Sequence, residues 1–188
     1  LDTVENENIT DLEGVLKELG SELNPRLQDE YSNWISARVD TNFLASFGRL
    51  SAKQHTAIEH QALQELVDHL EKTMLDKDRR SVLLVGESGV GKTVASRALG
   101  KRLEEKGWII LEAGASDLLA GQMYIGQLEN RIQQLVRNIG SKKKALWIIP
   151  NLHELRWAGT HKHSPTSILD MIFPFVENGE ILIIGETQ

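Results

Sequence analysis

Gly86-Glu87-Ser88-Gly89-Val90-Gly91-Lys92-Thr93 constrains this chain more than any other segment, because it satisfies the spacing G-x-x-x-x-G-K-[ST] at every fixed position. Ser81-Val82-Leu83-Leu84-Val85 precedes it and reads as a buried strand. Val94-Ala95-Ser96-Arg97-Ala98-Leu99 follows and reads as a helix start. Strand, glycine loop and helix form the setting in which this motif cradles phosphate. The loop's backbone N–H groups close around phosphate oxygens, and the helix N-terminus adds partial positive charge. Lys92 is placed to reach the β- and γ-phosphates of ATP, and Thr93 to hold Mg²⁺ through its hydroxyl. A chance glycine turn ahead of a helix is the competing explanation. It accounts for neither the Lys-Thr pair nor the flanking strand.

Around the loop, the hydrophobic pattern alternates between helices and strands. Residues 56–75 carry Ile58, Leu63, Leu66, Val67 and Leu70 on one helical face. Strands are predicted at 81–85, 108–112, 145–149 and 181–185. Between them come the helix behind the loop, a short helix from Ser116, a helix over 127–139 and one from Ser164 to about Val176. Near-continuous apolar strands separated by helices predict a parallel α/β sheet covered on both faces. Trp108 and Trp147 fall on strands and are expected in the core. Trp34 and Trp157 are expected at contacts or on the surface. Residues 1–48 differ from the rest. Ile9, Leu12, Val15, Leu16, Leu19 and Leu23 recur at helical spacing, and Asn24-Pro25 breaks the run. A second helical stretch carries Leu27, Tyr31, Trp34, Ile35 and Val39. A boundary at Gly48-Arg49-Leu50-Ser51 then gives an N-terminal helical extension or linker (1–48) and a nucleotide-binding domain (49–188).

Composition narrows the class further. The chain has 188 residues, 40% hydrophobic and 26% charged, which is ordinary for a globular protein. No apolar run matches a membrane span. The acidic, polar N-terminus carries no signal peptide, and the missing first Met suggests a piece of a longer protein. The absence of cysteine excludes disulfides and thiolate metal sites and fits a cytoplasmic location. A net charge of −6 argues against nucleic-acid binding, and Lys142-Lys143-Lys144 reads as a solvated turn. His153, His161 and His163 cluster where the third strand exits. A metal site is chemically feasible there, although residues 157–164 read better as a mobile loop.

Several segments together resemble the AAA+ module of Clp-type protein unfoldases and disaggregases. Ile58-Glu59-His60-Gln61 stands where that family has V-I-G-[RQ], so the resemblance implies that His60 and Gln61 border the adenine, with His60 replacing a glycine. The loop at 86–93 resembles G-E-P-G-V-G-K-T. Leu119-Ala120-Gly121-Gln122-Met123-Tyr124-Ile125-Gly126 resembles the L-[VI]-A-G-x-x-Y-x-G substrate loop, and Leu128-Glu129-Asn130-Arg131-Ile132 resembles the helix that follows it. Gly179-Glu180-Ile181-Leu182-Ile183-Ile184-Gly185-Glu186-Thr187 resembles G-E-[LI]-x-x-I-G-A-T, which puts Thr187 at the sensor-1 position near the γ-phosphate. The resemblance implies a P-loop AAA+ sheet sandwiched by helices, the cofactors ATP and Mg²⁺, and a polypeptide substrate gripped by Tyr124. It also implies a ring homo-oligomer of the full-length protein. Arg131 is expected to be a solvated charge, a partner of Glu129 or Asp117, or a contact to a ring neighbour.

The main departure lies at the end of the third strand, which reads Ile149-Pro150-Asn151-Leu152-His153. In the family an Asp that organises Mg²⁺ and a Glu that activates water stand at the positions of Pro150 and Asn151. Proline offers no ligating group, and Asn151 cannot accept a proton as a general base. Glu154 is the nearest acid, beyond the strand end. The family's module continues with an arginine finger, a fifth strand and a helical lid, and the resemblance stops short of these at Gln188, so the lid is expected to be absent here. The expected function is therefore an ATP-binding module of a Clp-like remodelling machine with weak or absent hydrolysis and a weakened Mg²⁺ requirement. The alternative is a nucleotide-dependent assembly or scaffold protein without translocation. A DNA-remodelling protein is disfavoured by the acidic balance and the lack of a basic recognition helix.

Overall fold

The fold was obtained as a computed structural model, which describes residues 39–50, 60–76, 80–120, 125–140, 143–160 and 166–188, the side chains of 125 and 126 excepted. The helices expected before residue 39, the loop at Tyr124, and His161 and His163 lie outside the described residues.

Residues 39–188 form one compact unit. In chain order it contains α1 (Thr41–Ala45), β1 (Arg49–Leu50), α2 (Gln61–Leu75), β2 (Val82–Val85), α3 (Lys92–Glu104), β3 (Ile109–Glu112), α4 (Ala115–Leu119) and α5 (Ile125–Ile139). β4 (Ala145–Ile149), a 3-10 turn (Leu152–Arg156), α6 (Ile168–Glu177) and β5 (Ile183–Thr187) complete it. The sheet order is β1-β3-β4-β5-β2, with β1 antiparallel to β3 and every other pairing parallel. β5 thus sits between β4 and the strand that feeds the glycine loop.

Period-two alternation divides the strand side chains between two cores. Ile110, Leu146, Ile148 and Ile184 face α2 and α3, and pack with Leu63, Val67, Leu70, Leu99 and Leu103. Leu111, Trp147, Ile149 and Ile183 face the opposite layer and pack with Leu118, Ile132, Leu135, Leu155, Ile168 and Ile172. Burial on both faces is why β4 reads as an unbroken apolar run. Trp147 is fully buried, and its indole Nε1 donates to the Ala113 carbonyl at 3.0 Å, so its one polar atom is satisfied. Trp108 is also buried, whereas Trp157 is 71% exposed.

The boundary expected at residue 48 is corrected by the structure, which also adds a fifth strand. Leu44 and Phe47 are buried in the second core, and burying each stabilises by about 1.5–3 kcal/mol. Two polar side chains of α5 hold this segment in place. Asn138 accepts from the Asp40 N–H at 2.8 Å and donates to the Asp40 carbonyl at 3.1 Å. Arg131 donates to the carbonyls of Ser46 (2.6 Å) and Ala120 (3.1 Å) and lies 4.3 Å over the Phe47 ring. Arg131 is therefore a local clamp, and the expected partner Asp117 instead accepts from the Gly114 N–H at 2.8 Å. Sequence periodicity carries no trace of the contacts that hold Asp40, Ser46 and Phe47, because they link residues more than eighty positions apart.

Replacing Asn138 by Ala leaves the Asp40 N–H without its partner, while the Asp40 carbonyl keeps the Leu44 N–H, and should cost about 1 kcal/mol. Urea unfolding should show a lower midpoint with an unchanged slope.

Candidate functional site

The site lies at the carboxyl ends of β2, β4 and β5, beside the start of α3. Gly89 and Gly91 adopt φ of 83° and 97°, a region that an L side chain enters only with strain. They turn the chain so that α3 begins at Lys92 with no side-chain cap on its first N–H groups. Those donors, with the helix dipole, form an anion site. Glu87, Ser88, Gly89 and Val90 are exposed along the loop. The Lys92 ammonium donates to the carbonyls of Gly86 (2.6 Å) and Glu87 (2.8 Å), so its charge is held directly over the loop.

Next to the loop is a cavity of about 800 Å³, lined by His60, Leu63, Leu66, Leu84, Val85, Val90 and Val94, among others. Its mostly apolar walls, with exposed Val85 and Val90 at the rim, suit a flat heteroaromatic group. His60 caps α2: its backbone is extended and its Nδ1 accepts from the Leu63 N–H at 3.2 Å. That cap explains how a histidine can stand at this helix start. Gln61 Nε2 donates along the helix to Glu65 Oε1 at 2.8 Å. Arg102 on α3 pairs with Asp68 and Glu71 on α2, tying the cavity wall to the loop helix.

At the far side of the loop, β5 pairs with β2 so that Val85 lies opposite Thr187, and the Gly86 N–H donates to the Thr187 carbonyl at 3.3 Å. The Thr187 hydroxyl is 3.2 Å from His153 Nδ1. Asn151 has φ 50° and ψ 51°, the left-handed region, which asparagine tolerates better than most residues. Glu154 is exposed on the 3-10 turn. That turn packs tightly on β5: a Cβ added at Gly185 would lie 2.7 Å from Leu152.

The residue that the sequence reading missed is Glu186. Its side chain reaches across to α3, where Thr93 Oγ1 donates to Oε2 at 2.5 Å. Glu186 is only 4% exposed, and its Oε1 has no hydrogen-bond partner. Nearby, Arg97 on α3 grips Glu112 through a two-pronged pair at 2.8 and 2.6 Å. The Glu112 hydrogen bond, with a smaller contribution from the Glu186 charge, holds the Arg97 pKa above its usual value. The available signal was an acid at the alanine position of the G-A-T run. That position lies on β5, one strand over from the strand end where the family's acids stand. The Thr93 hydroxyl and the Glu186 carboxylate are hard oxygen donors suited to Mg²⁺, which in such sites takes one or two protein ligands and completes its shell with phosphate and water. Among the described residues no group of three His, Asp or Glu forms a protein-only metal site, and no helix is long and apolar enough to cross a membrane.

With this geometry in view, the AAA ATPase domain family matches residues 59–156. The chain belongs to that family and is a Clp-type AAA+ module. It is 31% identical over 120 residues to the ATP-dependent Clp protease ATP-binding subunit ClpL of Staphylococcus aureus strain USA300, and 32% identical over 120 residues to that of strain MRSA252. Each alignment covers 59% of this chain and 17% of the relative, so the chain spans a small part of those proteins. The fold is similar to that of Saccharomyces cerevisiae Hsp104 in its ADP complex, with a TM-score of 0.59 at 20% identity, covering 77% of this chain and 26% of that one. It is also similar to the closed state of Hsp104 with ATPγS and FITC casein, with a TM-score of 0.52 at 22% identity, covering 66% of this chain and 22% of that one.

The backbone at Asn151 yields a prediction. Asn151→Glu should destabilise by about 1–2 kcal/mol relative to Asn151→Gly, because only glycine meets a left-handed conformation without a Cβ penalty. Comparing the two variants by urea unfolding checks it.

Proposed function

We propose that this chain is an ATP-binding module of a Clp-like protein-remodelling machine whose own hydrolysis is weak. The observation that carries the reading is the loop at Gly86–Thr93, with Lys92 folded over it and an apolar cavity alongside, set against Pro150 and Asn151 at the end of β4. The cavity would take the base and the α3 N-terminus the phosphates, with His60 on the cavity wall and Thr93 beside the metal. Thr187 and His153 would face the terminal phosphate. No carboxylate stands on β4 to activate water. Asn151 can orient a water but cannot take its proton.

Calorimetry of the 188-residue chain with ATP and Mg²⁺ should give micromolar affinity, about −8 kcal/mol, with phosphate release near background. Lys92→Ala should abolish the binding heat. Equal binding by both proteins would remove the loop from the account, and rapid Lys92-dependent turnover would restore a catalytic base to it.

Polypeptide handling rests on the resemblance of residues 119–126 to the family's substrate loop and on the relatives. Similarity extends to a Clp ATP-binding subunit and to Hsp104 captured with casein. In the full-length protein, assembled as a ring in the reading proposed here, Tyr124→Ala should abolish remodelling of an unfolded substrate and leave ATP affinity unchanged. Retained remodelling would favour a nucleotide-fixed scaffold.

A further inference from the structure

Pro150 leaves β4 without the carboxylate that, together with the loop Thr or Ser, holds Mg²⁺ in P-loop sites. We infer that Glu186, on the neighbouring strand β5, supplies this metal-organising carboxylate. The inference rests on the ATP-binding reading above.

Register carries the argument. β4 and β5 pair Ile148 with Ile184 and Ile149 with Gly185. Pro150 and Glu186 are the next residues along the two chains, Pro150 just past the end of β4 and Glu186 still within β5. Residues paired across parallel strands point to the same face of a sheet. Ile148 and Ile184 both pack toward α3, so a side chain two residues on, at 150 or at 186, is directed at α3 as well. Glu186 does reach α3, and it finds Thr93, the residue whose hydroxyl is expected on the cation. The carboxylate has moved sideways by one strand while keeping its height and its face.

Chemistry points the same way. A carboxylate buried to 4% exposure needs its lone pairs filled. Thr93 fills one oxygen, and Oε1 is left with no partner. Arg97 on α3, whose charge Glu186 feels, is committed to Glu112 by both prongs of its guanidinium. A purely structural tie between α3 and β5 would need only a neutral acceptor for the Thr93 hydroxyl, and a glutamine would serve. An acid with an unpartnered buried oxygen beside a loop threonine is suited to a hard divalent cation or to one of its bound waters.

The test is calorimetry of ATP binding to the full 188-residue chain, titrated over Mg²⁺ and repeated in EDTA, for wild type, Glu186→Gln and Glu186→Gln with Pro150→Asp. Wild type should bind ATP more tightly with Mg²⁺ than without it. Glu186→Gln keeps an acceptor for Thr93, so it should fold and should bind metal-free ATP at least as well as wild type. It should lose the Mg²⁺ enhancement by about 10–100-fold, the range seen when partners of a metal site are removed. Pro150→Asp should restore the enhancement, because it returns the acid to the adjacent position. Mn²⁺ with ATP, followed by electron paramagnetic resonance, gives a second readout: the bound signal should weaken in Glu186→Gln and return in the double variant. Full Mg²⁺ enhancement in Glu186→Gln, or an equal loss with and without metal, would overturn the inference. Wild-type binding that ignores Mg²⁺ would overturn it while leaving the ATP site standing, whereas no ATP binding under either condition would remove both.

Discussion

The pairing of β5 with β2 on one side and β4 on the other is the constraint on which the site depends. A parallel sheet places all its carboxyl strand ends on one edge, and functional groups of doubly wound folds collect there. Because β5 is inserted next to the loop strand, Thr187 lies opposite Val85 and its carbonyl receives the Gly86 N–H. The same insertion sets Glu186 against the first turn of α3. Without β5 in this position, neither Thr187 nor Glu186 would stand beside the glycine loop.

The glycine loop, the parallel sheet and the two-sided core were legible in the sequence, because each depends on local periodicity or on a contiguous motif. Trp147 within β4 and Trp108 just ahead of β3 are both buried, as expected. What was not legible depends on contacts between distant residues. The segment over 39–50 joins the folded unit through Asn138 and Arg131, whose partners are backbone atoms and therefore leave no pattern in side-chain chemistry. Glu186 escaped for a related reason: its importance comes from which strand neighbours which, and strand order is not written along the chain. The last strand was expected from Ile181 to Gly185 but runs from Ile183 to Thr187, because the polar residues Glu186 and Thr187 pair with Leu84 and Val85 of β2, which an apolar run does not reveal.

Asn151 shows how a lost acid can be a gained turn. The chain leaves β4 through Pro150 and a left-handed residue before entering the 3-10 turn, and the absence of a Cβ at Gly185 lets Leu152 pack directly on β5. A glutamate at 151 would carry a backbone penalty into this exit. The substitution thus fits the local fold as well as the loss of a base, and it separates two tasks that other sites of this type combine on one strand. In the reading proposed here, cation placement falls to β5, and β4 supplies no group to take a proton from water.

The central claim is that phosphate and cation are held by β2, α3 and β5, with β4 contributing no ligand. Crystals of the chain grown with ATP and Mn²⁺, measured for anomalous scattering at the manganese edge, test it most directly. The account predicts a single strong peak beside the Thr93 hydroxyl, facing the Glu186 carboxylate, with the triphosphate along the loop from Gly86 to Thr93. A metal peak beside Glu154 or His153 with Glu186 unengaged, or a nucleotide bound away from the loop, would contradict it.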